Sequence, residues 1–278
     1  MFSIIIPTWN NLAYLKLCVE SIRKHSTLPC QIILHINDGS DGTLSWAIAQ
    51  CIEFTHTVTN QGICIGVNMA ASKVVNDYIL YMNDDMYCCP GWDTYLAEEI
   101  SGLTTEKFMI SATMIEPRDT GNATVIVADF GQDVFSFKEQ ELLAALPNLQ
   151  KDDWSGASWP PCVISTSYWH MIGGFSIEFS PGMASDDDFS MKLWFTNCRY
   201  FKGVGKSLVY HFQTKTTSRI KKNNGSRQFL LKWGVNGSIF NKHFIRKGQP
   251  FTGILAEPSS AIIRKNKIKT WLKKRFIL

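Results

Sequence analysis

The chain has 278 residues, 45% of them hydrophobic, and a formal net charge of only +4. This length suits one large domain, or a main domain with a C-terminal appendage, and the hydrophobic fraction can fill a sizeable core. The composition therefore excludes a disordered chain. No apolar run approaches the ~20 residues of a membrane span. MFSIIIPTWN has no basic stretch before its apolar residues, so we expect no signal peptide.

Eight cysteines are scattered along the chain, with no CxxC pair and no histidine at a zinc-like spacing. Several lie within apolar runs, which is typical of buried free thiols. A disulfide framework is unusual in so large a domain with this spacing. We therefore expect a reduced, cytoplasmic environment.

The first hundred residues alternate between strand-like and helix-like patterns. Apolar runs predict strands at residues 3–7, 31–36, 56–58 and 78–82, and helices are predicted at 12–22, at 44–52 and after Gly62. Such alternation favours a parallel sheet covered on both faces. The polar stretches PTWN, NDGS and NDD then meet beyond the carboxyl ends of the strands, where α/β sheets bind ligands.

The second half of the chain continues this pattern less regularly. Strand-like runs separated by turns span residues 108–126, and a polar insertion with a helical stretch at 139–146 spans 129–153. Further predicted elements are a strand at 162–165, helices at 168–172 and 183–195, and a strand at 204–211. Three acids begin the longer helix, where they suit its dipole. Beyond residue 219 the pattern is helical and basic.

Several motifs stand in a fixed order: SIIIPTWN, INDGSDGT, NQGICIGVN, MNDD, GGF, SDDDF and VYH. This ordered set resembles the family 2 glycosyltransferases over roughly residues 1–215. The resemblance implies an α/β fold of the GT-A type, with a Rossmann-like, mostly parallel central sheet flanked by helices. It also implies a catalytic domain at 1–215, with a nucleotide-sugar half at 1–100 and an acceptor half at 101–215, and a basic helical extension at 216–278.

The implied activity is inverting, metal-dependent transfer of a sugar from a UDP- or dTDP-linked donor to a hydroxyl of a glycan or lipid-linked acceptor. MNDD stands at the family's DxD position, so Asp85 is the expected ligand of Mn²⁺ or Mg²⁺. Asp84 is expected to bind ribose or a metal-bound water. Asn83 is a further expected donor contact, and as an amide it removes one charge from the motif. We therefore expect weak metal binding until the donor supplies its phosphates. His211 is expected to complete the metal site or to contact the diphosphate.

The NDGS motif supplies the expected contact to the nucleotide base. Asp38 matches the acid that binds the base, and a carboxylate can accept the imide N–H of uracil or thymine. Asn37 replaces the family's usual first acid, which leaves the ribose contact open. The resemblance assigns further donor contacts to Pro7, Thr8, Asn10, Asn60, Gly62, Gly66 and Asn68. Each motif alone also suits a structural turn or a helix cap.

The acids of SDDDF are the candidate catalytic group. Transfer with inversion needs a base that takes a proton from the acceptor hydroxyl. Alignment with the family motif puts Asp186 at the base and Asp188 at a later acid on the acceptor side, and a shift of one residue makes Asp187 the base. Trp159 is the expected acceptor contact, since aromatic faces stack on sugar rings.

The last residues are basic and apolar at once, with seven Lys or Arg and no acid from Arg264 to Arg275. On a helix, residues 262–278 would suit peripheral membrane contact or packing on the catalytic domain. Nucleic acid is not an expected partner, because the basic excess is confined to this tail. The alternatives are an inactive sugar-nucleotide or glycan-binding module of the same fold, and a nucleotidyltransferase, for which PTWNNLAYL lacks a basic Gly-rich loop.

Overall fold

A computed structural model describes residues 1–214, 222–261, 263–264 and 266. Among these residues, no helix has the length and apolar character needed to cross a lipid bilayer. The basic stretch at 262–278, for which a membrane-surface helix is predicted, lies outside the described residues except at 263–264 and 266.

The described residues form one sheet of ten strands. These are β1 (Phe2–Trp9), β2 (Cys30–Asn37), β3 (Glu53–Thr57), β4 (Tyr78–Tyr81), β5 (Met86–Cys88), β6 (Phe108–Glu116), β7 (Ile126–Val127), β8 (Trp154–Ser155), β9 (Cys162–Ser165) and β10 (Tyr200–His211). The main order is β3-β2-β1-β4-β9-β6-β10-β5, with β7 beside β6 and β8 beside β10. Strands β1 to β4 are parallel, β9 is antiparallel between β4 and β6, and β10 runs parallel to β6. The predicted mostly parallel sheet is therefore confirmed.

Helices cover both faces of this sheet. They are α1 (Leu12–His25), α2 (Thr43–Ala49), α3 (Ile63–Ala71), α4 (Trp92–Ser101), α5 (Glu139–Ala145), α6 (Thr166–Met171), α7 (Ser185–Phe195), α8 (Gly225–Trp233) and α9 (Gly237–Ile239), which continues as a π-helical turn, Phe240–Phe244. The sequence prediction does not contain α4, β5 or β8, and it gives α8 and α9 only as a helical region beyond residue 219. It also broke the strand-like region after residue 108 into several runs, whereas β6 is continuous.

Successive side chains of a strand point to opposite faces of the sheet, so each strand contributes to two separate cores. In β1, Ile4 and Ile6 pack with Leu15 and Val19 of α1, in a core shared with α4. Ile5 points the opposite way, into a core shared with α3, α6 and α7. Both faces of the strand are thus apolar, which explains its continuous β-branched run.

The described part of the C-terminal extension packs against the rest of the chain. Phe229, Phe240, Ile245 and Leu255 are buried in the same core as α3 and α7. Trp154 of β8 forms a β-bridge with residue 250. The division of the chain at residue 215, and the two halves before it, stay predictions.

Candidate active site

A cavity of about 400 Å³ opens at the carboxyl ends of the strands. It lies where β1 has β2 on one side and β4 on the other, which is the crevice expected in such sheets. The cavity is lined by nine residues of the predicted site: Pro7, Thr8, Asn60, Gly62, Asn83, Asp84, Asp85, Trp159 and His211. The predicted residues outside its lining are Asn10, Asp38, Gly66, Asn68, Asp186, Asp187 and Asp188.

The two aspartates after β4 have different surroundings. Asp84 Oδ2 accepts a hydrogen bond from Thr8 Oγ1 at 2.6 Å, and Asp84 Oδ1 accepts one from Asn11 Nδ2 at 3.0 Å. Asp84 thereby joins the end of β4 to the end of β1. Asp85 instead faces β10 and the residues after it, where Thr214 donates to Asp85 Oδ2 from its backbone nitrogen at 2.9 Å and from its hydroxyl at 2.7 Å.

The free oxygen of Asp85 faces a histidine that a second acid holds in place. Asp85 Oδ1 lies 3.4 Å from His211 Nε2, and His211 Nδ1 lies 2.8 Å from Glu116 Oε1. Gln213 Nε2 donates to Glu116 Oε2 at 2.7 Å. Glu116 was not predicted as a site residue. It ends the apolar strand β6 with a carboxylate, and this is the same sequence signal that marks Asp84 and Asp85 after β4.

The electrostatics of this cluster follow from its burial and its two acids. Burial disfavours a charged imidazole, but Asp85 and Glu116 outweigh it and raise the pKa of His211 to about 10. Burial would likewise raise the pKa of Asp85, but His211 and the hydrogen bonds from Thr214 lower it below its usual range. Without a cation, the cluster is therefore an imidazolium between two carboxylates.

Asp85 and His211 also fit a divalent cation. A carboxylate oxygen and an imidazole nitrogen that face each other across 3.4 Å, too long for a good hydrogen bond, suit ligands that share one ion. Glu116 is placed to hold the other ring nitrogen, as acids commonly do behind metal-binding histidines. Within the described ranges, no group of three or more His, Cys, Asp or Glu side chains could hold a metal ion.

Asp38 lies beside the cavity, in a turn held by hydrogen bonds to its carboxylate. Asn10 Nδ2 donates to Asp38 Oδ2 at 2.9 Å, and the backbone nitrogen of Ser40 donates to Asp38 Oδ1 at 3.2 Å. Hydrogen bonds from Asn10 and Ser40 lower the pKa of Asp38. Its carboxylate is therefore ionised at neutral pH, next to Trp9, which lines the cavity.

The NQG motif packs one wall of the cavity. Gly62 has φ +80°, and a Cβ atom there would lie 2.5 Å from the Cα of Pro181, which also lines the cavity. Asn68 exchanges two hydrogen bonds of 2.8 Å with the backbone of Phe175. Gly66 packs against the ring of His35. Asn68 and Gly66 therefore stabilise the packing of α3.

Two of the three acids that begin α7 contact the C-terminal extension. Asp188 is fully buried. It accepts a hydrogen bond from Trp233 Nε1 at 2.7 Å and forms an ion pair with Lys232 Nζ at 2.9 Å. Asp187 accepts one from Asn241 Nδ2 at 3.0 Å. The Asp186 side chain has no hydrogen bond with another described residue.

Asp186 differs from its neighbours in its electrostatics. Burial, helped by the charge of Asp187, raises the pKa of Asp186 to about 7, and Lys247 acts in the opposite direction. Burial also raises the pKa of Asp187. A carboxylate with a pKa near 7 can take a proton and release it at neutral pH, which is what a general base requires.

Trp159 separates the cavity from a second, more open groove of about 640 Å³. The groove runs between the turn at 120–123 and the segment at 238–249, and it shares Thr120, Asn122 and Trp159 with the cavity. Trp159 is 40% exposed. The predicted acceptor residue thus stands between two connected spaces, whereas Asp188 reaches neither.

Residues 3–127 match the family model described as glycosyl transferase family 2. A comparison with curated protein sequences finds no match. Among solved structures, S. aureus TarS 1-349 in complex with UDP-GlcNAc has a TM-score of 0.63 at 14% identity, over 97% of this chain and 71% of that one. S. aureus TarS 1-349 alone gives 0.57 at 16% identity, over 76% and 60%.

A third solved structure comes from another organism. The mannosyltransferase PcManGT from Pyrobaculum calidifontis, in complex with GDP-Man and Mn²⁺, has a TM-score of 0.52 at 14% identity. It is matched over 77% of this chain and 57% of its own length. This chain therefore spans about three fifths of the length of two of these three structures, and at such identities the likeness concerns the fold. The likeness shows that the chain shares the GT-A type α/β fold of these glycosyltransferases, and residues 3–127, a little under half of the chain, match the family 2 model.

Proposed function

We propose that the protein transfers a sugar, with inversion, from a UDP- or dTDP-linked donor to a hydroxyl of a glycan or lipid-linked acceptor, with Mn²⁺ or Mg²⁺ bound. The observation that supports this most is the grouping around one cavity. Asp85 and His211 line the cavity, and Asp38 lies at its edge beside Trp9. Asp186 is three residues along the chain from Met183, which is also in the cavity lining.

The donor assignment rests on the charge of Asp38. An ionised carboxylate only accepts hydrogen bonds, and the imide N–H of uracil or thymine is a donor that it can match. Solved structures with this fold are complexes with UDP, UDP-GlcNAc or GDP-Man. These structures differ in their base, and a carboxylate can also accept from the N1–H and amino groups of guanine, so the donor panel below decides between the bases.

Asp85 and His211 are the residues that would hold the cation. Bound there, the cation would neutralise negative charge on the diphosphate of the donor. Since the chain offers two ligands here and no larger cluster among its described residues, phosphate oxygens and water would fill the remaining positions. This agrees with the expectation that metal and donor bind together.

Asp186 is the proposed base. The acceptor hydroxyl oxygen forms a bond to the anomeric carbon while the bond to the nucleotide diphosphate breaks, and the hydroxyl proton passes to the Asp186 carboxylate. Asp187 is the less favoured base, because Asn241 already donates to it. The groove beyond Trp159 is the proposed acceptor site, since it joins the donor cavity and offers amide and hydroxyl side chains.

The protein is further proposed to work in the cytoplasm, with peripheral membrane contact through residues 262–278. The support is the sequence alone: seven cations between Arg264 and Arg275 alternate with large apolar residues. A lipid-linked acceptor would make such contact useful, because it brings the enzyme to the surface that carries its substrate.

The proposal is tested with a panel of UDP-, dTDP- and GDP-sugars, each with Mn²⁺ or with EDTA. We expect a pyrimidine nucleotide sugar with Mn²⁺ to raise the melting temperature, and the same compound to be hydrolysed slowly without an acceptor. Stabilisation without turnover of any donor would instead indicate a binding module. Stabilisation by GDP-sugars alone would contradict the proposed pyrimidine donor, because the carboxylate of Asp38 would then accept from the N1–H and amino groups of guanine.

Glu116→Gln is expected to weaken Mn²⁺ binding, measured by isothermal titration with UDP present, by about 10–100-fold. Glutamine can still accept a hydrogen bond from His211 Nδ1, but it lacks the charge that makes the opposite ring nitrogen a better ligand. Glu98→Gln is the matched control, because Glu98 is exposed on α4. Equal Mn²⁺ affinity in the two variants would mean that Glu116 does not support a metal ligand.

A further inference from the structure

Lys247 is a buried cation with no hydrogen-bond partner among the described residues. Its Nζ atom is inaccessible to solvent, and it lies 3.2 Å from the centre of the Trp159 ring. An ammonium group removed from water is costly unless other groups compensate its charge. The ring face of Trp159 compensates part of it.

The backbone holds Lys247 in this position. Its backbone nitrogen donates to the carbonyl of Asn241 at 2.8 Å, and the next residue, Gly248, donates to the carbonyl of Ser155 at 2.9 Å. Gly156 permits this close approach, since a Cβ atom there would lie 2.4 Å from the Cα of Lys247. The position of the cation is therefore fixed by contacts between the C-terminal extension and β8.

Asn241 links the segment of this cation to the acids at the start of α7. Its carbonyl accepts the hydrogen bond from the Lys247 backbone nitrogen at 2.8 Å, and its Nδ2 donates to Asp187 Oδ1 at 3.0 Å. The acids nearest to Lys247 along this link are therefore Asp187 and its neighbour Asp186. Burial lowers the pKa of Lys247 to about 8, and the two acids act against this shift. In return, the positive charge of Lys247 lowers the pKa of both Asp186 and Asp187. The charge of Lys247 and the charge of the acid pair thus depend on each other.

The other titratable groups around Asp186 stay neutral. They are Cys64 of α3, Tyr81 of β4 and Cys162 of β9, and burial raises the pKa of each, for Cys64 to about 12. Lysines 192 and 232 act on Asp188 rather than on Asp186. Among the described residues, Lys247 is the cation whose charge acts on Asp186.

We propose that Lys247 is a positioning residue for sugar transfer: its ammonium group, held over Trp159 by the contacts with β8, keeps the Asp186 carboxylate ionised and ready to accept a proton. The role of Asp186 as the base rests on the proposed function. The electrostatic effect of Lys247 on Asp186 does not, so it can be measured without any turnover.

The direct test is a carbon-13 NMR titration of the aspartate carboxyl groups, with the Asp186 signal assigned by its loss in Asp186→Asn. In Lys247→Met the titration midpoint of Asp186 is expected to rise by about one pH unit or more, since a nearby opposite charge lowers a carboxyl pKa by about that much. Lys247→Gln is the second neutral variant, for use if methionine prevents folding. Lys206→Met, which removes an exposed cation from β10, is expected to cause no shift.

Lys247→Arg separates charge from packing. It keeps the positive charge, so the midpoint of Asp186 should stay near that of the unaltered protein. An unchanged midpoint in Lys247→Met would overturn the proposal. A shift in Lys247→Arg as large as that in Lys247→Met would also overturn it, because packing and not charge would then be responsible.

The kinetic arm uses the donor and acceptor found for the unaltered protein. In a plot of kcat against pH, the acidic limb of Lys247→Met should lie at higher pH than that of the unaltered protein, by the same amount as the NMR midpoint. At alkaline pH the kcat of the variant should recover. A loss of kcat equal at all pH values would show a merely structural role. If the unaltered protein turns over no donor, the proposed function fails, and the NMR titration still decides the role of Lys247.

Discussion

Asp186→Asn is expected to lower kcat by about 10²–10⁴-fold while donor binding stays close to that of the unaltered protein. Asparagine has nearly the same shape as aspartate but cannot take the proton of the acceptor hydroxyl. Because the Asp186 side chain makes no hydrogen bond with another described residue, the substitution leaves no described donor without its partner. The measurement is kcat for transfer, together with the Kd of the donor in the presence of Mn²⁺.

Two further variants sharpen this result. Asp77→Asn makes the same change at an exposed residue before β4, at the opposite end of the sheet from the cavity, and should leave kcat unchanged. Asp187→Asn should reduce kcat less than Asp186→Asn does. The reverse order would assign the base to Asp187, and full transfer by both variants would remove these acids from the chemistry.

The pH dependence of the unaltered enzyme provides an independent view of the same base. Burial and Asp187 raise the pKa of Asp186 to about 7, and a base works only when it is ionised. The rate should therefore increase with pH through about 7 and then level off, whereas an ordinary exposed aspartate would give a limb near pH 4. A rate that is constant from pH 5 to 8 would contradict the role of Asp186.

Local pattern was enough to predict most of this fold. The run Ile4 to Ile6 marks a strand buried on both faces, and the spacing of Leu15, Cys18 and Val19 marks a helix with one apolar face. What local pattern lacks is strand order. The antiparallel β9 enters the sheet between β4 and β6 because of pairing across more than fifty residues. No window of the sequence contains that information.

The candidate site likewise contains residues that local sequence could place and residues that only long-range packing brings together. Asp38, Asp84 and Asp85 follow strands directly, so their meeting at one edge could be predicted. Glu116 and His211 are 95 residues apart and meet only because β6 and β10 are neighbours. Lys247 comes from the extension and has no local signal, since a lysine in a loop is usually solvated. Long-range packing therefore decides which charges surround the predicted base.

Asp85→Ala is expected to abolish the metal dependence of donor binding. With Mn²⁺ present, the Kd of the nucleotide sugar should rise by about 100-fold or more, since even residues behind a ligand contribute about 10–100-fold to metal affinity. The variant leaves His211 bound to Glu116, but it removes the carboxylate that faces Nε2. Isothermal titration with Mn²⁺ and with EDTA measures the effect, and in EDTA the variant and the unaltered protein should bind the donor equally weakly.

Asp85 also holds the chain after β10, so loss of binding could follow from disorder rather than from loss of a ligand. Asp85→Asn addresses this, because the amide oxygen can still accept both hydrogen bonds from Thr214 while the charge that attracts a cation is gone. The asparagine variant should therefore melt near the unaltered protein and still lose its response to Mn²⁺. If Mn²⁺ strengthens donor binding equally in Asp85→Asn and in the unaltered protein, the cation is held elsewhere, and the pair of Asp85 and His211 is only an internal ion pair.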